Sequence, residues 1–376
     1  MNDFKLFIRN LIKAILQFGI LPIVYKVYKK KNIQENLVIF ADSKNDGIPY
    51  SMFAMYKTIN NTGKYDVKVL CSDYSKLNIL EKAKAINRFM KLYANAKYVF
   101  ICDYFLPVSS CNKRKETKVI QLWHASGLQK KFGYDANDDL GNLKYINPVK
   151  NFDLVSVSSK IMIDVIANNW KLDRKKIKAM GTSRSDVFYD KQYLKECKIK
   201  FYNKYPNAIG QKIILWAPSF RGNGSNAKID YVKQILDLKA KLSDKYYFII
   251  KLHPHLQKKY NVDNCAIPTE ELYPVIDILI TDYSSVLFDY LLLNKNVIFY
   301  VPDYKDYIKT RGLYINYWEE FEFPIVYSIN ELHKTICNYP QLEDIKVEMY
   351  KNKFIKNNDG QASKRIINYL ERIYGL

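Results

Sequence analysis

The sequence predicts an α/β protein with two doubly wound Rossmann-like domains that face a cleft, preceded by an amino-terminal amphipathic helix. Three observations support this fold class: short apolar strands alternate with helical segments, the pattern occurs in both halves of the chain, and a polar stretch separates the halves. A length of 376 residues also suits two such domains better than one small core.

The first half contains six apolar runs with the length of strands, and helical segments separate most of them. The predicted strands are 37–40, 67–70, 98–102, 119–123, 154–157 and 177–180, and the helical segments include 51–59, 77–92 and 160–170. Because parallel neighbours are joined by such crossovers, the order predicts a parallel sheet. We place this amino-terminal domain at residues 32–195.

The second half repeats the pattern after a polar stretch at 191–211. Its predicted strands are 213–217, 247–252, 278–281, 297–301 and 325–327. We place this carboxy-terminal domain at residues 205–345. The remainder, 346–376, has a helical pattern and could cross back onto the first domain.

Residues 1–31 carry an apolar stripe opposite Lys5, Arg9 and Lys13, and end in three lysines. Polar and helix-breaking residues make the 11–27 window a poor spanning helix: Lys13, Gln17, Pro22 and Lys26. The pattern predicts a basic helix that lies on an anionic membrane surface. A helix packed on the protein's own core is an alternative of equal weight.

Composition restricts the class of partner. The net charge is +21, which predicts a phosphate-rich partner such as a nucleotide, a nucleic acid or an anionic membrane. The six cysteines show no CxxC spacing, so we predict a reducing compartment and no metal site. No cofactor is predicted, and no G-x-G-x-x-G follows Phe40, which disfavours hydride transfer.

Polar motifs follow five predicted strands at their carboxyl ends, where ligands bind in such sheets. The residues are His124, Gly181 with Arg184, Pro218 with Arg221, His253, and Asp282. Since these motifs come from both halves, they could face one cleft between the domains.

The stretch 278–289 joins a buried strand through Asp282 to a serine pair and an apolar helical run at 286–293, which Asn294 would end. Ser284 or Ser285 is a natural N-cap for that helix. Free N–H groups and hydroxyls at a helix start favour a phosphate. An ordinary capped strand-to-helix turn is the competing interpretation.

This set of residues suits displacement at an activated phosphate or sugar. A histidine that is neutral near pH 7 can take a proton from an alcohol. Arg184, Arg221 and Arg311 could each grip two phosphate oxygens.

The ordered motifs between about 119 and 365 resemble the CDP-glycerol glycerophosphotransferases that build teichoic-acid-type polymers. The segments that carry the resemblance are QLWHASGLQK at 121–130, GTSRSD at 181–186, APSFR at 217–221, LHP at 252–254, TDYSSVLFD at 281–289, RGLY at 311–314 and DGQAS at 359–363. The sequence departs from the family pattern at Ala125-Ser126 and at Ser183 and Ser185.

The resemblance implies a glycosyltransferase-B-like fold and transfer of a polyol phosphate, with glycerol phosphate as first choice, from a CDP donor to an acceptor hydroxyl with release of CMP. It implies that His124 and His253 are catalytic, one of them as the base. It also implies that residues 32–195 form the acceptor domain and residues 205–345 the nucleotide-donor domain. The residues expected on the donor and its phosphates are Arg184, Arg221, Asp282, Ser284, Ser285 and Arg311. The expected partners are a CDP-polyol donor, a lipid-linked or glycan acceptor at the membrane, and an anionic membrane surface. The expected location is the cytoplasm, peripheral on the inner face of the bacterial cell membrane.

Three alternatives stay open. The first is a ribitol-phosphate transferase of the same family, and the second is a glycosyltransferase of the same fold that uses a nucleotide sugar. The third is a nucleic-acid-binding protein, which only the charge suggests. Because helix-turn-helix, zinc-finger and RNP-like signatures are missing from the sequence, no nucleic-acid partner is expected.

Overall fold

The computed structural model describes residues 2–136, 145–222, 227–257, 259–293, 296–340 and 342–375. Two parallel sheets, one of six strands and one of five, form the centres of two α/β domains. This architecture confirms the predicted fold class.

The first sheet has the strand order β2-β1-β3-β4-β5-β6, and every neighbouring pair is parallel. Its strands are β1 Gln34–Asp42, β2 Asp66–Cys71, β3 Ala96–Ile101, β4 Lys118–Gln121, β5 Leu154–Val157 and β6 Ile177–Ala179. The helices between them are Tyr50–Asn60, Ile79–Tyr93 and Ile161–Trp170. Asn78 begins the second of these helices with a capping box to Glu81.

The second sheet has the order β11-β10-β9-β7-β8, again with parallel neighbours. Its strands are β7 Lys212–Trp216, β8 Tyr246–Ile250, β9 Ile278–Thr281, β10 Val297–Tyr300 and β11 Ile325–Val326. The helices of this half are Val232–Leu242, Pro254–Gln257, Thr269–Leu272, Val286–Tyr290, Tyr304–Thr310, Tyr317–Glu320 and Ile329–Cys337.

Three predicted segments differ in detail. The apolar run at 286–293 is helical only over Val286–Tyr290 and continues as a turn, while Asn294 lies outside the described residues. The polar stretch at 191–211 contains the helix Lys191–Lys204, which buries Cys197 and Phe201. The carboxy-terminal segment is two helices, Asp344–Phe354 and Ala362–Tyr374.

The helix Ala362–Tyr374 packs on the first sheet although it follows the second domain in the chain. Ile366 and Leu370 lie in the same apolar cluster as Phe40. The carboxylate of Asp186 accepts hydrogen bonds from the backbone N–H groups of Ala362 (3.0 Å) and Ser363 (2.7 Å). These acceptors satisfy the free donors at the start of the helix and fix its position.

The amino-terminal segment is helical from Asn2–Ile15 through a π-helical turn, Leu16–Ile20, to Leu21–Tyr28. One face docks on the first domain: Gln17 is 1% exposed and its amide bonds the backbone oxygens of Ser109 (3.0 Å) and Asn147 (2.7 Å). The opposite face leaves large apolar side chains in solvent: Phe4, Phe7, Ile8, Leu11, Ile12, Ile15, Phe18, Ile20, Ile23 and Val27. The helix therefore both packs on the protein and presents an apolar surface.

By length and composition alone, the 22 residues Phe7–Tyr28 are also sufficient to cross a membrane, and 17% of an apolar stretch of 18 residues within them is buried. Core helices of soluble proteins and signal sequences meet the same criterion.

Candidate active site

His124 lies just beyond β4 and leaves one ring nitrogen available. Its Nδ1 is 3.2 Å from the carbonyl oxygen of Cys102, and its ring lies against Trp123 with 4.2 Å between centroids. A carbonyl only accepts, so Nδ1 carries the proton and Nε2 presents its lone pair. Trp123 has φ 61°, an unfavourable backbone conformation for an aromatic residue. Such strain is typical of functional loops.

A carboxylate and a lysine lie behind His124. Asp103 Oδ2 is 3.8 Å from Nδ1 of His124 and forms an ion pair with Lys44. The His124 side chain is 44% exposed, yet its partial desolvation lowers its pKa below the ordinary 6.5, and Asp103 opposes that effect. Burial acts to raise the pKa of Asp103, but His124 and Lys44 outweigh it and lower that pKa. His124 is therefore neutral at pH 7, as a general base requires.

His253 follows β8 in the second domain. Its ring lies 4.8 Å from the ring of Phe220, and Lys130 of the first domain lies 5.9 Å above that same phenyl ring. Its backbone oxygen accepts from the N–H of Leu256 at 2.8 Å. Since Lys130 belongs to the loop that begins at His124, both histidines lie beside the boundary between the domains.

Two segments of the RGLY and QLWHASGLQK motifs pair across that boundary. Lys130 and Leu313 form an antiparallel bridge, and Tyr314 N donates to Gln129 O at 2.7 Å. The half-buried Arg311 donates from Nε to the backbone oxygen of Lys131 at 2.9 Å. The strand-like pairing holds the His124 loop against the second domain and positions Arg311 at the junction.

Arg221 and Asp282 form the centre of an ion-pair network within the second domain. Arg221 is paired with Asp282 (2.7 Å) and with both carboxylate oxygens of Asp303, one of them at 2.9 Å. It also donates to Ser219 O at 2.7 Å and to the hydroxyl of Tyr231 at 3.0 Å. A guanidinium has five N–H groups, and these contacts use all of them.

Both carboxylate oxygens of Asp282 accept hydrogen bonds within the second domain. Its Oδ1 accepts from the backbone N–H groups of Ser219 (2.8 Å) and Tyr283 (2.6 Å), and only 1% of the residue is exposed. In this arrangement Arg221 and Asp282 join the loops that follow β7 and β9.

Ser284 and Ser285 are half-buried at the start of the helix Val286–Tyr290. Ser285 occupies the N-cap position, but its side chain makes no capping hydrogen bond. Neither hydroxyl bonds a described residue, so both are available to a ligand.

Arg184 joins the two domains through buried contacts. It belongs to the first domain, and its guanidinium contacts Asp289 (2.8 Å) and Glu270 (3.3 Å) of the second. It also donates to the backbone oxygen of His124. Burial disfavours its charge, but Asp289 and Glu270 outweigh burial and raise the pKa of Arg184. It is therefore a charged link between the domains and the His124 loop.

The polar network continues from Asp289 to the carboxy-terminal segment. Ser126 Oγ donates to Asp289 at 2.8 Å and lies 3.0 Å from the hydroxyl of Thr182. Asn358 donates to Ser126 Oγ at 3.1 Å and accepts from Thr182 N at 2.8 Å. Burial raises the pKa of Asp289, and the contacts with Arg184 and Ser126 offset part of that rise.

Sequence reasoning placed both histidines beside the domain boundary but missed several residues: Lys44, Asp103, Ser126, Glu270, Asp289 and Asn358. Asp103 follows β3 at its carboxyl end, so the rule that found His124 could also have found it. Ser126 lies inside the QLWHASGLQK motif and Asp289 inside the TDYSSVLFD motif. No local signal indicates Lys44, Glu270 or Asn358. The assigned ligand roles of Arg184, Arg221 and Asp282 stay predictions, although the observed contacts give them internal partners.

Comparison with known proteins shows which family of enzymes the chain belongs to. The model of the CDP-Glycerol:Poly(glycerophosphate) glycerophosphotransferase family matches residues 23–372, so the chain belongs to that family. The match confirms the predicted family and the class of enzyme, a polyol-phosphate transferase.

The chain is also similar to individual teichoic acid enzymes and to solved structures. The teichoic acid ribitol-phosphate primase of Bacillus spizizenii is 29% identical, with 97% of each chain covered. The teichoic acid glycerol-phosphate primase of Bacillus subtilis is 30% identical over 78% of this chain and 79% of that protein. The solved structure of the wall teichoic acid polymerase TagF aligns with a TM-score of 0.74 at 21% identity, covering 99% of this chain and 98% of that chain. A TagF variant soaked with CDPG aligns with a TM-score of 0.73 at 20% identity, covering 99% of this chain and 98% of that chain.

The substitution Asp103→Asn tests the electrostatics of His124. Because the carboxylate favours the imidazolium form, its removal should lower the pKa of His124 further. The acid limb of the kcat/KM profile, which reports protonation of the base, should move to lower pH. The checks are an NMR titration of the ring and a pH–rate profile, with the exposed Asp46→Asn as control. An upward shift of the pKa would contradict the assignment.

Proposed function

We propose that this protein transfers a polyol phosphate from a CDP-activated donor to an acceptor hydroxyl and releases CMP, in the synthesis of a teichoic-acid or capsule-type polymer. The observation that carries the proposal is the His124 ring: Nδ1 is held by the Cys102 carbonyl at 3.2 Å, and Nε2 has no hydrogen-bond partner among the described residues. A neutral imidazole with a free Nε2 beside the domain boundary suits a base that acts on an alcohol.

In the proposed step, the acceptor oxygen attacks the phosphorus that carries the polyol. Its proton passes to Nε2 of His124, a new P–O bond forms, and the P–O bond to CMP breaks so that CMP leaves with the electron pair. Asp103 stabilises the resulting imidazolium through its charge 3.8 Å from Nδ1. The step balances because Nε2 of His124 takes the proton of the acceptor hydroxyl and CMP takes the electron pair of the broken P–O bond.

The remaining residues divide into ligand-contacting and positioning groups. We keep His253 as the second catalytic histidine, beside the donor, and assign Ser284, Ser285 and Arg311 to the donor phosphates, because they lie on the second domain at a strand end or at the junction. Arg184, Arg221 and Asp282 are positioning residues in this proposal, since their polar groups already hold the loops that carry the others.

Glycerol and ribitol donors are both candidates. The family description names glycerophosphate, whereas the Bacillus spizizenii relative that spans 97% of both chains is a ribitol-phosphate primase. The first assay is therefore CMP release from CDP-glycerol and from CDP-ribitol, with nucleotide sugars as the competing donors.

The substitutions His124→Ala and His253→Ala should each lower CMP release by about 10²–10⁴-fold, the usual contribution of acid–base catalysis. Both variants should still fold and bind CMP, because neither exposed ring is part of an apolar core. The exposed Lys212→Ala provides a matched surface control. Near-full CMP release by both histidine variants would show that the proposed chemistry is wrong.

We also propose that the exposed apolar face of the amino-terminal helices rests on the inner face of the cell membrane. The carbonyl-bonded Gln17 fixes the opposite face on the protein, and Arg9, Lys13 and Lys26 lie on the same helices. Basic amphipathic helices of this kind bind anionic lipid in two ways: they bury apolar surface in the membrane, and their positive charges are attracted to the headgroups.

Substitution of the exposed residues Ile12 and Ile15 tests this membrane contact. The double variant Ile12→Glu and Ile15→Glu should weaken sedimentation with phosphatidylglycerol vesicles by at least about tenfold, because it places charge where apolar contact is needed. CMP release with a soluble acceptor should not change. Ile209→Glu and Ile345→Glu, at isoleucines that are also exposed, form the control pair. Equal vesicle binding by both double variants would contradict a membrane role for the helices.

A further inference from the structure

A cavity of about 1,080 Å³ opens at the edge of the first sheet, and none of the candidate catalytic residues lines it. Its floor is β6, the last strand in the sheet order, with Ile177 and Ala179 as apolar lining. One wall comes from the start of the helix Ile161–Trp170, and the other from the helix Ala362–Tyr374.

Positive charge dominates the lining. The cationic residues are Lys160, Arg174, Lys175, Lys178, Arg365 and Arg372, and the one acid on the lining is Asp173. Two of the cations are neutralised from outside the cavity: Arg174 pairs with Asp164 at 2.5 Å, and Arg365 pairs with Asp359 at 2.7 Å.

Four cations have no ion-pair partner among the residues that the structure describes: Lys160, Lys175, Lys178 and Arg372. The carboxylate of Asp173 accepts from the backbone N–H of Lys175 at 2.8 Å, as a cap of the short helix Arg174–Lys176. Like charges around one concave surface repel each other and concentrate the field there. An anion with several charges would relieve that repulsion.

The size and the mixed chemistry of the cavity indicate a chain rather than a single phosphate. Its volume of about 1,080 Å³ is slightly above the usual range of about 300–1,000 Å³ for small-molecule sites, so it can hold several repeats. Lys and Arg side chains suit phosphate oxygens, while Asn368 and the hydroxyl of Tyr369 offer partners for polyol hydroxyls.

The cavity also lies close to the candidate active site. β6 is separated from β4 by β5 alone, so these two strands lie about 10 Å apart across the sheet. The chain leaves the cavity at Met180 and reaches Thr182, whose hydroxyl lies 3.0 Å from Ser126 Oγ in the His124 loop. A flexible polymer whose end is at His124 could therefore lie along this edge.

We propose that this cavity binds the phosphodiester chain of a polyol-phosphate acceptor, a proposal that rests on the function proposed above. It is an additional binding site, separate from the reacting groups, and it favours acceptors of several units over those of one. The competing explanation is that the lysines protect an open sheet edge from pairing with another strand. That explanation does not account for Lys160 and Arg372, which come from the flanking segments rather than from the strand.

The test uses the full chain with the triple variant Lys175→Gln, Lys178→Gln and Arg372→Gln. The control triple variant is Lys198→Gln, Lys212→Gln and Lys241→Gln, which removes the same charge from exposed positions of other surfaces. The probe is a fluorescent oligo(glycerol phosphate) of about six units, and its affinity is measured by anisotropy at several salt concentrations. The cavity variant should bind about 10–100-fold more weakly and with a shallower salt dependence, while the control keeps the wild-type affinity.

Two parallel measurements separate the possible failures. CMP release with a soluble one-unit acceptor tests the proposed function itself and should be the same in wild type and the cavity variant. Binding to phosphatidylglycerol vesicles tests whether lipid headgroups are the true source of phosphate. Equal oligomer binding by the two triple variants, or a loss confined to vesicles, would overturn the acceptor-chain site without affecting the proposed function.

Discussion

A carboxylate buried between the two domains is the constraint on which the candidate site depends. Asp289 is 2% exposed, and moving a carboxylate out of water costs several kcal/mol unless it is paired and hydrogen-bonded. Its partners, Arg184 and Ser126, both belong to the first domain. The charge on Asp289 is therefore stabilised only when the domains meet in this orientation.

The same contacts determine the position of His124. Arg184 donates to the backbone oxygen of His124, and the next glycine, Gly127 at φ +64°, lies against Phe288 of the second domain. A Cβ at Gly127 would be 2.3 Å from that ring, so a larger residue cannot replace it without displacing the loop. The His124 loop of the first domain and the segment around Phe288 of the second are thus held in fixed geometry. Catalysis that joins two bound substrates benefits directly from such preorganisation.

Sequence patterns predicted the sheets and the location of the histidines, because both depend on local rules. Buried parallel strands are short apolar runs, and ligand-binding residues follow their carboxyl ends. The partners of the charged residues depend on distant chain contacts that no local pattern encodes. The phosphate-binding role of Arg221 stays a prediction, whereas its observed partners, Asp282 and Asp303, lie 61 and 82 residues later in the chain. The apolar run at 286–293 predicted a longer helix because burial, rather than helical periodicity, makes it apolar.

A double-mutant cycle on Arg184 and Asp289 tests the central claim that their pair couples the two domains. The free energy of unfolding is measured by urea denaturation for wild type, Arg184→Met, Asp289→Asn and the double variant. Each single change leaves a buried group without its partner, so the double variant should be more stable than the sum of the two single losses predicts, by at least about 1.5 kcal/mol. Losses that add to within about 0.5 kcal/mol would show that the pair does not act as a unit and would contradict this account.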